Sequence, residues 1–387
     1  MNLNLLRRWL KGNGWVEGEV DDADVIVVCT CGFSKKQEGK ELELIEKFGQ
    51  IKKEDSELVV LGCHPRVNLP GLQAIFEGKT VPTDSIQKFD EIIDLPRKTT
   101  EFHNHLVSFE EYSTDPKVSR YFRARRFFER YEWLPFIKVP RVLYTVPSEK
   151  WWCVRCSMGC MSDCAYCGVK HNQGPFKSEP FKRILAQIQQ GLAKGYKEIA
   201  LTGEDLGAYG MDLGAGCDKG TGKDMVSLLE AIVGLPGDFE VNIRFVDPVW
   251  LLKLWDRLLP VFESGRIKAF CCPVQSGSDR VLELMNRPYT FAMIKDMING
   301  IMQKTKVRMI STNIIVGFPT ESRDDLRQTM RLISEVDFGM YQVHEYEERP
   351  AARAAQIPEK VDPAEIEARV RIVHKAAVRK HARSLFI

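Results

Sequence analysis

Five cysteines fall between positions 153 and 167, and three of them, Cys160, Cys164 and Cys167, follow the spacing C-x3-C-x2-C. Residues 1–8 are interrupted by charge and hold no signal-peptide apolar stretch. In the reducing cytoplasm to which that points, clustered thiols indicate metal binding or catalysis rather than a disulfide framework. Three thiolates on one short loop can hold three irons of a [4Fe–4S] cluster. The fourth iron is then open to a substrate or cofactor, whereas a structural site is closed by four protein ligands. The same loop can instead build a zinc site completed by Cys156 or His171, and spacing alone leaves both readings open. Cys29, Cys31 and Cys63 form a second, N-terminal group. Cys217, Cys271 and Cys272 are scattered and read as small buried hydrophobes.

These thiols need elements to position them. Residues 25–28 and 58–61 are apolar, β-branched-rich runs, the mark of buried strands. Between them, 34–48 carries a helical period with Leu42, Ile45 and Phe48 on one face. That alternation predicts a small α/β domain with a parallel sheet over residues 1–100. Residues 101–138 read as a basic, aromatic linker. Within it, 117–130 holds six positive charges and one negative, with Tyr121, Phe122, Phe127 and Phe128 interleaved. Such a segment suits base stacking and phosphate pairing, or else an amphipathic helix packed on a neighbour. From 139 to 360, βα units recur in series. Strands are expected at 197–201, 240–245, 267–272, 307–316 and 341–346, and helices at 181–193, 225–233, 248–259, 291–304 and 323–335. Five or six such units argue for a partial parallel (β/α) barrel, with its chemistry at the C-terminal ends of the strands. Residues 361–387 read as a C-terminal helix begun by Asp362-Pro363.

The chain has 387 residues, 44% apolar and 28% charged, with a net charge of +2. That composition excludes a mostly disordered or collagen-like chain. No run of about 18 apolar residues is present, so no transmembrane helix and no membrane partner are expected. The near-neutral balance excludes a globally basic nucleic-acid binder but not a local patch.

The cysteine loop at the head of a βα series resembles the radical S-adenosylmethionine (SAM) superfamily. Residues 167–174 (CGVKHNQG), 201–212 (LTGEDLGAYGMD), 273–279 (PVQSGSD), 285–289 (MNRPY), 314–321 (IIVGFPTE) and 346–355 resemble, in order, the signatures of its methylthiotransferases. Lys170-His171 and Glu204-Asp205 with Ala208-Tyr209-Gly210 are most similar to the archaeal and eukaryotic branch, which acts on threonylcarbamoyladenosine in tRNA. The resemblance implies that Cys160, Cys164 and Cys167 hold a [4Fe–4S] cluster whose open iron takes the amino and carboxylate groups of SAM. One electron from a low-potential donor then cleaves the sulfonium and releases a carbon radical able to take hydrogen from an unactivated carbon. It further implies that Gly203 and Glu204 meet the methionine amino group and that Arg244 meets the carboxylate or ribose. Gln275 and Ser276 would line the ribose and substrate side, and the backbone of Val316, Gly317 and Phe318 with Tyr166 would pack on adenine.

The family's leading domain binds a second [4Fe–4S] cluster through three cysteines. Cys31 and Cys63 match two of them. For the third, either the chain starts late, or Cys29 supplies the ligand from the same face of an extended segment as Cys31. The C-terminal β-barrel with which tRNA-modifying members grip RNA is not matched. Asn313 and Thr320 stand where the family more usually has aspartate and glycine. Three functions therefore compete. The first is methylthiolation of tRNA. The second is methylthiolation of a ribosomal protein or peptide side chain, which Cys31-Gly32-Phe33 resembles more. The third is a non-catalytic iron–sulfur or zinc protein.

Overall fold

The computed structural model describes residues 2–32, 34–102, 116–131, 151–168, 172–212 and 223–384. Expectations for Phe33, Lys170, His171 and Cys217 lie outside them. The chain forms two compact units, one of residues 1–106, 168–175 and 349–351, the other of 107–167, 176–348 and 352–387.

In the first unit, β1 (Val25–Thr30), β2 (Glu57–Gly62) and β3 (Lys79–Pro82) form a parallel sheet in the order β1-β2-β3. Both of its faces are covered, which is why its strands are continuous apolar runs rather than alternating ones. Ile26, Val28, Leu58 and Val60 pack on Ile45 of α2 (Lys35–Ile51). Val59, Leu61 and Val81 pack on Leu6 and Trp9 of α1 (Asn2–Gly12). The Ser34 side chain caps α2 by accepting the Gln37 amide at 3.1 Å.

In the second unit, β4 (Trp151–Arg155), β7 (Glu198–Thr202), β8 (Glu240–Ile243), β9 (Ile267–Cys271), β10 (Met309–Val316) and β11 (Met340–Glu345) run parallel in that order. A short hairpin, β5 (Ser157–Met158) with β6 (Lys177–Ser178), follows β4. The barrel helices are α4 (Phe181–Ala193), α5 (Met225–Val233), α6 (Pro248–Glu263), α7 (Asp279–Leu284), α8 (Phe291–Lys304) and α9 (Arg323–Glu335), with α10 (Pro363–Ser384) at the end. One contiguous apolar core joins strands to helices, from Trp152, Ile184 and Ile188 round to Tyr341, Val373 and Ala377. This is the α/β architecture expected from the sequence. Helix α6 runs past Pro260, where the sequence reading stopped. An interior proline costs about 3 kcal/mol. Burial of Val261 and Phe262, at 3% and 1% exposure, returns about 1.5–3 kcal/mol each, so the helix continues.

The segment read as a linker holds α3 (Pro116–Tyr131), which closes the N-terminal end of the barrel. Ala124 and Phe128 pack on Ala269, Met309 and Met340, all near strand starts. Arg125, buried, donates to Glu198 Oε1 at 2.7 Å and to Glu129 at 2.8 Å. Arg123, Arg126, Phe127 and Arg130 are exposed on its outer side. This basic, aromatic face therefore lies at the opposite end of the barrel from the strand C-termini.

Candidate active site

The cysteine loop leaves the C-terminal end of β4. Cys156 extends the ladder, its amide donating to Thr202 O at 2.8 Å, and Gly159 at φ +80° turns the chain outward. Beyond it the described loop makes few backbone bonds of its own and is held by groups distant in sequence. Gly159 N–H donates to Glu204 Oε2 at 3.0 Å, and the Ser162 hydroxyl to Asp247 Oδ2 at 3.3 Å. The Asp163 carbonyl accepts from Asn286 Nδ2 at 2.8 Å and from Arg353 Nη2 at 2.6 Å. Ala165 bonds through its amide to Met285 O at 2.9 Å and through its carbonyl to the Ala354 amide at 2.8 Å.

Cys160, Cys164 and Cys167 are all half-buried on this loop and outside any disulfide. Burial and the neighbouring Asp205 push the Cys160 thiol far up; its sulfur lies 3.5 Å from Asp205 Oδ2 and accepts the Ser162 amide. Burial, with the charge of Asp247, in turn pushes the Asp205 carboxyl up to about 6. Cys164 Sγ accepts from Arg287 Nη1 at 3.1 Å. Cys156, the candidate fourth zinc ligand, is instead fully buried among Val154, Ile184 and Leu201 in the core. Among the described residues no three His, Cys, Asp or Glu side chains are gathered around one point as a mononuclear tetrahedral site needs. Cys160, Cys164 and Cys167 share one loop clamped by groups distant in sequence; His171, the other candidate zinc ligand, lies outside the described residues.

The strand ends around this loop carry buried polar atoms with no hydrogen-bond partner: Ser157 Oγ, Thr202 Oγ1, Gln275 Oε1, Asn313 Oδ1 and Tyr346 Oη. Orphaned groups cost about 1–3 kcal/mol each, so these five are places a polar ligand could satisfy; others, such as Trp151 Nε1 and Arg266 Nη1, lie at strand starts. Gln275 is also at φ +76°, a left-handed strain held by its bonds to Asn313 and Ile315 of β10. Gly203 lets the chain pass Ser157, whose Oγ would lie 2.4 Å from an added Cβ. Glu204 is half-buried, and burial raises its carboxyl.

Other expected contacts are placed differently. Arg244 lies against the Trp151 and Phe245 rings and lines a cavity of about 130 Å³ inside the barrel, with Asn242, Cys271 and Ser311. Ser276 is fully buried, its hydroxyl held by Thr329 of α9 and the Ser278 amide. The Gly317 amide, at φ +80°, is committed to Glu321 Oε2 at 2.8 Å, and a Cβ there would meet Ile366 of α10 at 2.4 Å. Val316 and Phe318 are fully buried. Phe318 packs with Ala165, Met285 and Tyr166 and stands edge-on to Tyr346. This group supports the cysteine loop from below. Asp247, Arg287 and Arg353 were not singled out from the sequence, and Asp205 was named there only in the Glu204-Asp205 pair, with no role at the cysteines. Their partners lie 40 to 190 positions away; for Arg287 the only local signal was its place in residues 285–289.

In the first unit, the β1–β2 register pairs Thr30 with Gly62, so Cys31 and Cys63 each come one residue beyond, on neighbouring strand ends. Gly62, at φ +128°, makes this closeness feasible: a Cβ would lie 2.2 Å from Thr30 O. Gly32 likewise leaves only 3.2 Å between an added Cβ and Cys63 Cβ. Burial pushes the Cys29 thiol up, and Cys63, Glu41 and Cys31 add to it, although the residue as a whole is exposed. The structure thus brings Cys29, Cys31 and Cys63 to one edge. Behind them Glu41 accepts the Cys31 amide at 2.8 Å and lies 3.4 Å from His64 Nε2 without hydrogen-bond alignment. Glu38 pairs with Arg349 at 3.3 Å.

Residues 154–333 match the radical SAM superfamily, and residues 2–81 match the uncharacterized protein family UPF0004. The chain is 28% identical over 373 residues to a probable threonylcarbamoyladenosine tRNA methylthiotransferase of Methanothermobacter thermautotrophicus, covering 96% of this chain and 79% of that one. It is 26% identical to the ribosomal protein uS12 methylthiotransferase RimO of Clostridioides difficile, over 89% and 71% of the two chains. Among solved structures, the radical S-adenosylmethionine methyltransferase TsrM of Kitasatospora setae, with cobalamin and a [4Fe–4S] cluster bound, superposes with a TM-score of 0.58. It covers 90% of this chain and 69% of that one at 12% identity, a likeness of fold.

Proposed function

We propose that this chain, which belongs to the radical SAM methylthiotransferase family, inserts its methylthio group into threonylcarbamoyladenosine of tRNA beside the anticodon. The observation that carries the site assignment is the mouth of the second unit: three half-buried thiols on an externally clamped loop, ringed by orphaned buried polar atoms. Cys160, Cys164 and Cys167 would hold the SAM-binding cluster. Cys31 and Cys63, with Cys29 as the third thiol at that edge, would hold the auxiliary one. A reduced cluster with SAM supplies the hydrogen-abstracting power that no side-chain base has toward an unactivated carbon.

The chain's own residues do the rest. Glu204 and Gly203 orient the amino acid end of SAM at the end of β7. Thr202, Gln275 and Asn313 offer the unpaired polar atoms that a sugar or carboxylate needs. Arg244 reaches this ligand from within the barrel. Tyr166 lines the adenine side, while Val316, Gly317 and Phe318 act through the wall they build beneath the loop. Asp205 stands beside the Cys160 sulfur, at 3.5 Å. The partners in this reading are tRNA and a low-potential electron donor, met in the cytoplasm.

The names of the archaeal relatives favour tRNA. The RimO relative supports ribosomal protein uS12 as a second reading. Nucleoside mass spectrometry of tRNA from a deletion strain tests the choice. Loss of 2-methylthio-threonylcarbamoyladenosine supports the first reading. Unchanged nucleosides with an unmethylthiolated uS12 support the second and refute the first.

A further inference from the structure

We propose that Arg287 is a positioning residue of the cysteine loop whose guanidinium, donating to the Cys164 sulfur, raises the reduction potential of the cluster held there. This rests on the reading that Cys160, Cys164 and Cys167 hold that cluster. Three consecutive residues after α7 grip three consecutive residues of the loop: Met285 O takes the Ala165 amide, Asn286 Nδ2 holds the Asp163 carbonyl, and Arg287 Nη1 donates to Cys164 Sγ at 3.1 Å. Asn286, at φ +58°, makes the left-handed turn that aims the next side chain back at the loop.

Arg287 is only 5% exposed. Its remaining donors are fixed on Asp247 Oδ2 at 2.5 Å, on Pro273 O at 2.6 Å and on the Tyr289 hydroxyl. Burying a cation is expensive, and an apolar residue of similar size would brace the loop without that penalty. A fixed cation against a ligand sulfur therefore points to an electrostatic task. Reduction adds one negative charge to the cluster, and a cationic hydrogen bond to its sulfur favours the reduced form. Asp247 pairs with the same guanidinium and moderates the effect. The geometry is already assembled by protein partners, so loading the cluster requires no reorganisation.

The test uses the full-length chain carrying C29A, C31A and C63A, reconstituted anaerobically so that one site gives the signal. Iron and sulfide are counted, and the potential is read by EPR-monitored redox titration. R287M is expected to load iron normally and to shift the one-electron reduction equilibrium at least tenfold toward the oxidised form, about 59 mV more negative. R287K, which keeps the charge, is expected to shift less. Equal loading with identical midpoints in all three proteins overturns the proposal while leaving the cluster assignment standing. If R287M does not fold or load, the decision comes from Arg287-replete protein labelled with 15N-arginine. A 15N coupling in the HYSCORE spectrum of its reduced cluster supports the proposal, and no coupling overturns it. The further variant C160A/C164A/C167A must lose its iron; if it keeps it, the cluster reading fails and the tuning role falls with it.

Discussion

Removing the Arg125 side chain tests whether α3 is the floor of the barrel. Arg125 and Glu198 are 4% and 7% exposed at the side chain and 2.7 Å apart. At such depth, deleting one partner leaves the other charge buried without its compensation, which costs about 3–5 kcal/mol. Arg125 also touches Glu129, which is 36% exposed and keeps much of its hydration. E198A leaves Arg125 its contact with Glu129 and is expected to cost less, about 2 kcal/mol. Replacing both residues, R125M with E198L, removes the charges together and is expected to cost under about 1 kcal/mol, because a buried ion pair and an apolar pair of similar volume are nearly equivalent. Urea denaturation of the metal-free chain at pH 7 measures all three, with Trp151 and Trp152 of β4 as buried fluorescent reporters of the barrel. An R125A midpoint equal to the parent within about 0.5 kcal/mol, or a double variant as damaged as R125A, refutes the buried-pair account.

Three further outcomes follow from the same structure. G62A is expected to destabilise the first unit by at least about 2 kcal/mol, since a side chain at φ +128° meets Thr30 O; hydrogen exchange localised to β1 and β2 checks this. T320G is expected to gain about 0.5–1 kcal/mol, because Thr320 is a β-branched residue at φ +65°, in the thermal midpoint of the purified chain. Asp325 is held well below the usual carboxylate range: burial acts to raise it, but bonds from Arg280, Ser278 and Ser322 prevail. A depressed pKa gives stability that is present above the unfolded value near 4 and lost as pH falls toward the folded one. D325N should therefore lower stability by about 2–3 kcal/mol at pH 7 and flatten the acid limb below pH 4 in pH-resolved urea titrations. Retention of the parent's acid limb in D325N would refute this assignment.

The strands were legible because both sheets bury both faces, which writes unbroken apolar runs such as 58–61 and 269–272 into the sequence. The cysteine loop was legible from its spacing alone. For 117–130 the amphipathic-helix alternative is the one the structure carries in α3: Phe128 packs on the barrel with Ala124 and the buried Arg125, whereas Phe127 is exposed. Around 314–321 the structure adds what the sequence does not carry: the Gly317 amide is bonded to Glu321 and the Phe318 ring packs with Ala165 and Tyr166 of the cysteine loop. Sequence matching marks which residues belong together, not which of their atoms are already spent. The loop's clamps Asp247 and Arg353 gave no local signal, and Arg287 only its place in 285–289, because their partners lie 40 to 190 positions away, beyond the reach of any local period. Thr320 shows the converse. Its backbone explains why a glycine is more usual there.

The central claim is that Cys160, Cys164 and Cys167 hold an iron–sulfur cube with one corner left for SAM. The most direct measurement reconstitutes the C29A/C31A/C63A chain anaerobically, counts iron and sulfide, and assays 5′-deoxyadenosine after reduction with SAM present. The account predicts about four irons per chain and reductive SAM cleavage, both lost in the additional C160A/C164A/C167A variant. Bound zinc in place of iron, or SAM cleavage that survives the loss of those three thiols, would contradict it.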